Sequence, residues 1–354
     1  MPEYRQDPLT GRMVIVAEER AARPHQFDIT DQPYRDVCPF CEGNESLTPG
    51  ETAAFRRTNT EPNAPGWRVR VVPNKYPAVV PGDVPPDLSH LSFMLDGGKT
   101  DGIGLHEVII DTSRHVLSIA ELTPSEVADM LAMYQLRLQM LRADTRWTYV
   151  QIFKNVGAAA GASLPHSHSQ LVAMPFLPPS LSQMMCRAEE YARKHQHCFW
   201  CNHLQSEIRY GERIVEETEH FVVLCPFVSR FAGEIEIYPK HHESGFDELD
   251  TSVLGELAEL FRRTIIRLEK AVFWMKSPLA YNVVLNTEPF RFFSQMGDTA
   301  SASAFFHWHF SILPSLARAA GFEWGTGLHI NPISPEQAAG RLRTANIHCN
   351  ASIY

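Results

Sequence analysis

The sequence predicts an α+β fold built from two similar halves, because three signatures occur twice in the same order. Each half opens on C-x-x-C, Cys38/Cys41 in VCPFCEG and Cys198/Cys201 in HCFWCNH. Each then has a strand-like run in which a histidine follows a glutamate by eight residues, EVIIDTSRH (107–115) and EIEIYPKHH (234–242). Each closes on H-x-H, HSHSQLVAMP (166–175) and HWHFSILP (307–314). Self-similarity of this kind marks an internal duplication, and it divides the chain into halves 1–178 and 179–354 packed into one molecule.

The elements between these signatures also correspond. An extended run follows each C-x-x-C, WRVRVVPNKYPAV (67–79) and HFVVLCPFVSRF (220–231). After the glutamate-to-histidine run comes a helix. Thr123-Pro124-Ser125-Glu126 is a capping box with proline in the first helical position, and VADMLAMYQLRLQML behind it reads as amphipathic. TSVLGELAELFRRTIIRLEKAV keeps a similar period in the second half. The β-rich segments WTYVQIFKN (147–155) and LAYNVVLN (279–286) come next.

Composition sets the outer limits. With 354 residues, 44% hydrophobic and 21% charged, the chain can bury a substantial core and stay in solution. No apolar run reaches the ~18 residues of a membrane span. The start, MPEYRQDPLTGR, lacks the apolar centre of a secretory peptide, so a cytoplasmic chain is expected. A net charge of −9 opposes a broad nucleic-acid surface but leaves room for a local basic pocket, for which Arg12, Arg20 and Arg23 are candidates. The seven cysteines are expected as thiols.

Two thiolates in C-x-x-C converge on one ion from a tight turn, and zinc takes four sulfur or nitrogen ligands in a tetrahedron. The repeat nominates the others. Site one is Cys38, Cys41, His115 and His166. Site two is Cys198, Cys201, His242 and His307, with His203, His241 and His309 as nearby competitors. Two zinc ions per subunit are expected, with iron an alternative occupant of the second site. A redox C-x-x-C would need a βαβ context that VCPFCEG does not offer.

On an extended strand His166, His168 and Gln170 share one side and Ser167 and Ser169 the other. With His166 held by metal, His168 stands on a fixed backbone, free to act as a nucleophile at phosphorus. Upstream, NVGAAAGAS (155–163) has small residues that let backbone N–H groups approach a phosphate. Gln170 can hydrogen-bond a phosphate oxygen or orient the nucleophile, but cannot act as a general acid. That suits an already acidic leaving group such as a sugar phosphate.

The segments RQDPLTGRMVIVAEERAARP, CPFC, RVVPNKYPA, HEVIIDTSRH, NVGAAAGASLPHSHSQ and GFEWGTGLHINP resemble the galactose-1-phosphate uridylyltransferase branch of the histidine triad superfamily. The resemblance implies a homodimer whose subunit is two histidine-triad-like halves with antiparallel sheets forming a half-barrel and flanking helices. It implies that His168 is the nucleotidylated residue and that Asn74, Asn155, Gly161, Ala162, Ser163 and Gln170 surround the nucleotide phosphates. Arg20 and Arg23 match the family's nucleotide-contacting R-x-x-R. Gly325, Thr326, Gly327 and Asn331 fall where the family contacts the hexose or its phosphate. The second half keeps the metal but lacks the phosphate loop and the glutamine, Ser311 following His309, and reads as catalytically retired.

The implied activity moves a nucleoside monophosphate between an NDP-hexose and a hexose-1-phosphate. Its partners are a nucleotide sugar and a sugar phosphate or inorganic phosphate, not nucleic acid or membrane. There is one departure. Well-known uridylyltransferases read H-P-H-G-Q where this chain reads H-S-H-S-Q. The serine form, cysteines at the second metal site and a G-T-G-x-x-I-N-P tail are shared with ADP-glucose:phosphate adenylyltransferases of the same fold. An adenylyltransferase of that kind, a dinucleotide phosphorylase or hydrolase, and a non-catalytic zinc-ribbon module are the alternatives.

Overall fold

A computed structural model describes residues 1–6, 13–16, 37–84, 99–271, 280–292, 301–315 and 320–345. The first half runs β1 (Glu3–Gln6), β2 (Met13–Val16), β3 (Ala53–Arg56), β4 (Trp67–Pro73), β5 (Lys99–Asp101), β6 (Leu105–Ile110), α1 (Pro124–Arg142), β7 (Tyr149–Val156) and β8 (His168–Met174). The second runs α2 (Pro179–His195), α3 (Phe199–Tyr210), β9 (Ile214–Glu217), β10 (Phe221–Leu224), β11 (Ile235–Pro239), α4 (Leu254–Ala271), β12 (Tyr281–Asn286), β13 (His309–Pro314), α5 (Gly321–Thr326) and α6 (Pro335–Thr344).

Ten strands form one antiparallel sheet in the order β3-β4-β6-β8-β7-β12-β13-β11-β10-β9. The order mirrors itself about the β7/β12 seam. Moving outward, β7, β8, β6, β4 and β3 on one side answer β12, β13, β11, β10 and β9 on the other. The fold is thus α+β with antiparallel strands, and the sheet stays open at β3 and β9. A separate small sheet, β2-β1-β5, uses the N-terminal strand, for which no sequence signal was read.

One face of the large sheet is apolar from both halves, with Val71, Ile109, Leu171 and Ile152 continuing into Val283, Phe310, Ile237 and Val223. Helices α1 and α4 cover it and pack on each other. The capping box before α1 is formed: Glu126 N–H donates to Thr123 Oγ1 at 3.2 Å, and Thr123 N–H donates to Glu126 Oε2 at 2.8 Å. Such a cap contributes about 1 kcal/mol. Contrary to the expected amphipathic pattern, α1 is buried on most sides, Gln135 and Arg137 included. It is wedged between sheet and α4, and its buried polar groups find partners: Gln135 Nε2 donates to the Leu249 carbonyl at 2.8 Å, and Arg137 Nη2 lies 2.9 Å from Glu107 Oε2. Among the described residues no helix is long and apolar enough to cross a membrane.

The opposite face is treated differently in the two halves. Over the second half, α2 and α3 seal it, with Met185, Trp200 and Leu204 packed on Val222, Leu224 and Tyr238. Over the first half, among the described residues, the C-x-x-C turn lies on it, with Cys38 and Phe40 against Val72, Val108 and Ile110. A cavity is left open beside that turn.

Candidate active site and metal centres

Strand alternation puts His168 and Gln170 on the open face of β8, and register extends that face to neighbouring strands. Gln170 lies opposite Phe153 of β7 and Val108 of β6, and Val108 lies opposite Val72 of β4. The cavity there has a volume of about 300 Å³. His168, Gln170, Asn74, Lys75, Ser163 and Phe40 line it, and Val37, Leu47, Pro49 and Val72 give it an apolar wall.

His168 is fixed within this cavity. Its Nδ1 lies 2.6 Å from the His166 carbonyl. A carbonyl only accepts, so Nδ1 carries the proton and Nε2 keeps its lone pair. Phe40 packs edge-on against the ring, centroids 5.1 Å apart. His106 was not foreseen. It is buried, accepts the Ala78 N–H at Nδ1 (2.9 Å), and therefore offers a proton on Nε2 to Gln170 Oε1 at 3.1 Å. Occupying that oxygen leaves the Gln170 amide N–H groups to donate into the cavity. Asn74 Nδ2 lies 3.0 Å from the same ring nitrogen. The alternation from Val108 and Ile110 back to His106 was the available signal.

The small-residue loop after β7 makes a single 3₁₀ turn at Ala158–Ala160, flanked by Gly157 and Gly161 at φ +81° and +85°. Those backbone angles are strained for any side chain. Of the residues expected around phosphate, Asn74, Ser163 and Gln170 line the cavity; Asn155 stands near the end of β7, and Gly161 and Ala162 sit on the loop that follows it. The second half grips this loop: Asn282 Nδ2 donates to Asn155 Oδ1 and to the Ala160 carbonyl, both at 2.8 Å, and Ser315 Oγ donates to the Ala159 carbonyl at 2.9 Å. Arg12, Arg20 and Arg23 lie outside the described residues. Gly325, Thr326, Gly327 and Asn331 are not brought to the cavity of their own chain. Asn331 instead binds the Ser229 and Phe231 carbonyls, at 3.1 and 3.3 Å.

Both nominated ligand sets converge. Cys38, Cys41, His115 and His166 have one ligand atom each within 4.8 Å of one another, as do Cys198, Cys201, His242 and His307. Cys41 Sγ lies 3.3 Å from His115 Nδ1 and 3.7 Å from His166 Nδ1; Cys201 Sγ lies 3.2 Å from His242 Nδ1 and 3.6 Å from His307 Nδ1. A tetrahedral zinc with ordinary Zn–S and Zn–N bonds separates sulfur from nitrogen by about 3.5 Å. Outer partners fix the tautomers: His166 Nε2 donates to the Thr112 carbonyl at 2.9 Å, His307 Nε2 to Pro239 at 2.9 Å, and His242 Nε2 to Ser303 at 2.8 Å. Burial pushes His166 down to about 4, which keeps its ring neutral near pH 7, as a ligand must be. The four-residue sets thus fit metal, and His307 rather than His309 completes the second.

His309, the counterpart of His168, repeats the bond to the backbone, Nδ1 to the His307 carbonyl at 3.1 Å. It has no cavity. Tyr238 stacks on it at 4.7 Å and Trp200, the counterpart of Phe40, stands 6.3 Å away. Glu236 Oε2 accepts the Tyr238 hydroxyl at 2.8 Å, and burial pushes its carboxyl up to about 7. A carboxyl raised in the folded state contributes stability below its unfolded value near 4.5 and loses it as pH rises through 7. Glu236→Gln is therefore expected to raise Tm more at pH 8 than at pH 6, measured by thermal melts of metal-loaded protein.

Comparison with known proteins follows this geometry. Residues 1–178 match the family described as galactose-1-phosphate uridyl transferase, N-terminal domain. A galactose-1-phosphate uridylyltransferase of Thermotoga maritima is 31% identical over 98% of this chain and 99% of its own length. The chain belongs to the galactose-1-phosphate uridylyltransferase family. Membership in this uridylyltransferase family makes it a nucleotidyltransferase. An ADP-glucose phosphorylase of Arabidopsis thaliana is 33% identical over 98% of this chain and 93% of its own length. The crystal structure of an Arabidopsis thaliana ADP-glucose phosphorylase with bound ADP-glucose superposes with TM-score 0.72 at 32% identity, covering 98% and 99% of the two chains. A uridylyltransferase structure gives TM-score 0.75 at 26% identity, covering 97% and 98%. The resemblance expected from the motifs therefore holds across the family's full length.

Proposed function

We propose that this chain moves a nucleoside monophosphate between an NDP-hexose and a hexose-1-phosphate through a covalent nucleotidyl-His168 intermediate. The observation that carries this is the His168 ring, tied through Nδ1–H to the His166 carbonyl with Nε2 at the cavity beside Gln170. The Nε2 lone pair attacks the α-phosphorus, and the bond from that phosphorus to the bridging oxygen breaks. Hexose-1-phosphate leaves with the electron pair. The positive charge that develops on the imidazole is shared with the His166 carbonyl through Nδ1–H. An acceptor oxygen then attacks the same phosphorus and expels the ring. Gln170, Ser163 and Asn74, which line the cavity, are the residues proposed to hold phosphate oxygens.

Uridylyl transfer is the first reading, in line with the family and the Thermotoga relative. Adenylyl transfer from ADP-glucose to inorganic phosphate is the second, favoured by likeness to the Arabidopsis enzyme along 98% of the chain. UDP-glucose, ADP-glucose and GDP-sugars, each paired with galactose-1-phosphate or phosphate and resolved by chromatography, test both. Turnover of UDP-glucose only with the hexose phosphate supports the first reading; turnover of ADP-glucose with phosphate replaces it by the second. Release of free nucleotide with no acceptor would make the enzyme a hydrolase and sink both.

The metal in each set is proposed to be zinc, with iron the alternative in the second; its part is to hold the ligands in place. Free cysteines and thiolate ligands suit a reducing compartment, and the cytoplasm is the proposed location. The halves 1–178 and 179–354 are proposed as diverged copies, the second retained as support. A homodimer is proposed as the working state. Trp324, Leu328 and Ile330 are 79%, 63% and 65% exposed, and the segment Gly325–Gly327 is proposed to complete the cavity of a second copy. Light scattering should give twice 40.0 kDa. A Cβ at Gly325 meets nothing within 4 Å, so Gly325→Glu should fold. Mixing inactive Gly325→Glu and His168→Gly chains should restore about a quarter of wild-type activity, one sound site per mixed dimer.

A further inference from the structure

The two serines of H-S-H-S-Q face away from the cavity, into a closed polar network behind β8. Lys154 of β7 places its ammonium 2.6 Å from Asp111 Oδ2, 2.8 Å from Ser167 Oγ and 3.2 Å from the His168 carbonyl, using all three of its N–H donors. Ser167 Oγ donates to Asp111 Oδ2 at 3.0 Å, and Ser169 Oγ donates to Asp111 Oδ1 at 3.0 Å. The Tyr134 hydroxyl of α1 closes the network on Ser169 Oγ. All five side chains are buried, Asp111 and Ser169 completely. A charged pair so enclosed is costly to desolvate, and it is tolerated where every donor and acceptor is met.

We infer that Lys154, Asp111, Ser167 and Ser169 are positioning residues for nucleotidyl transfer and that the two serines do not select the nucleobase. The network grips the nucleophile's own strand from behind. The His168 carbonyl is held by Lys154, the Asp111 N–H donates to the Ser167 carbonyl at 3.2 Å, and the Ser167 N–H donates to the Val116 carbonyl at 2.6 Å. With the peptides on both sides of the His168 Cα pinned, the His166 carbonyl stays where Nδ1–H meets it and Nε2 stays aimed at the phosphorus. Small displacements of a nucleophile cost large factors in rate. The Ser167 and Ser169 hydroxyls are bonded to Asp111, on the far side of the strand from the cavity, and do not line it. In this chain the two serines of H-S-H-S-Q therefore serve a buried Lys–Asp pair and not base recognition.

This inference rests on His168 being the nucleophile. The test uses full-length, metal-loaded enzyme and single-turnover labelling with α-³²P-labelled ADP-glucose and UDP-glucose. Two double variants are compared with wild type: Ser167→Ala with Ser169→Ala, and Lys154→Met with Asp111→Leu, the latter removing both charges so that neither is stranded. The rate constant for labelling is expected to fall about 10- to 100-fold. The labelled fraction, the metal content, the half-saturating NDP-sugar concentration and the ADP-to-UDP rate ratio should stay within threefold. A wild-type rate constant in both variants would overturn the inference. So would a tenfold change in base ratio, or a fall in labelled fraction with an unchanged rate constant, which marks partial unfolding. Absence of label on His168 in the wild type would bring down the nucleophile reading itself.

Discussion

His168→Gly is expected to abolish covalent labelling by radioactive NDP-sugar and to lower turnover by at least about 10⁴-fold, the scale of removing a covalent nucleophile. Metal content should stay near wild type, because the ligand in this segment is His166, whose Nδ1 points at Cys38 and Cys41 and whose Nε2 bonds to Thr112. The fold should also survive. His168 packs on Phe40 and its Nδ1 bonds to the carbonyl two residues before it, so loss of the ring opens the cavity without breaking the sheet. The checks are acid-quenched labelling, metal analysis and a thermal melt on the same preparation. Label retained on the variant would move the nucleophile elsewhere.

The second large effect is the asymmetry between the metal centres. Cys41→Ser should lose one metal ion per chain, lower stability by roughly 5 kcal/mol or more, and eliminate activity. The first centre joins the C-x-x-C turn to His115 and His166, so releasing it frees the carbonyl that holds His168 and the Phe40 packed on its ring. Cys201→Ser should lose the other ion and a similar share of stability, yet keep labelling within about tenfold, because its set lies under α2 and α3 beside the sealed His309. Metal analysis, denaturant titration and labelling of both variants decide it. Equal loss of labelling in the two would mean that the second half takes a direct part in the chemistry.

Much of this site was legible because its chemistry lies in local spacing. C-x-x-C, the glutamate-to-histidine interval and H-x-H each fix a ligand within a few residues, and the duplication supplied the pairing between distant ones. Alternation on one strand correctly separated His168 and Gln170 from the serines. What escaped depends on neighbours in space. His106 matters because β6 pairs with β8 and because Ala78 N–H sets its tautomer. Lys154 and Asp111 look like ordinary strand and loop charges until register sets them behind Ser167 and Ser169. The surroundings of α1 hid its true character, since an amphipathic reading assumes one wet face and this helix has little. The tail around Gly325 was matched to the family by motif, and it does not line the cavity of its own chain.

The mirror-ordered sheet has a consequence for how the molecule comes apart. Five pairs join β7 to β12, from Tyr281 opposite Val156 to Leu285 opposite Ile152, and the apolar layer beneath runs across them without interruption. Neither half presents a finished edge at that seam. Severed, each would expose an unpaired central strand, the kind of edge that recruits other chains. The two halves should therefore melt as one cooperative unit, despite their separate metals. The second half acts as the other bank of a single arch, with Asn282 bonded to the small-residue loop after β7.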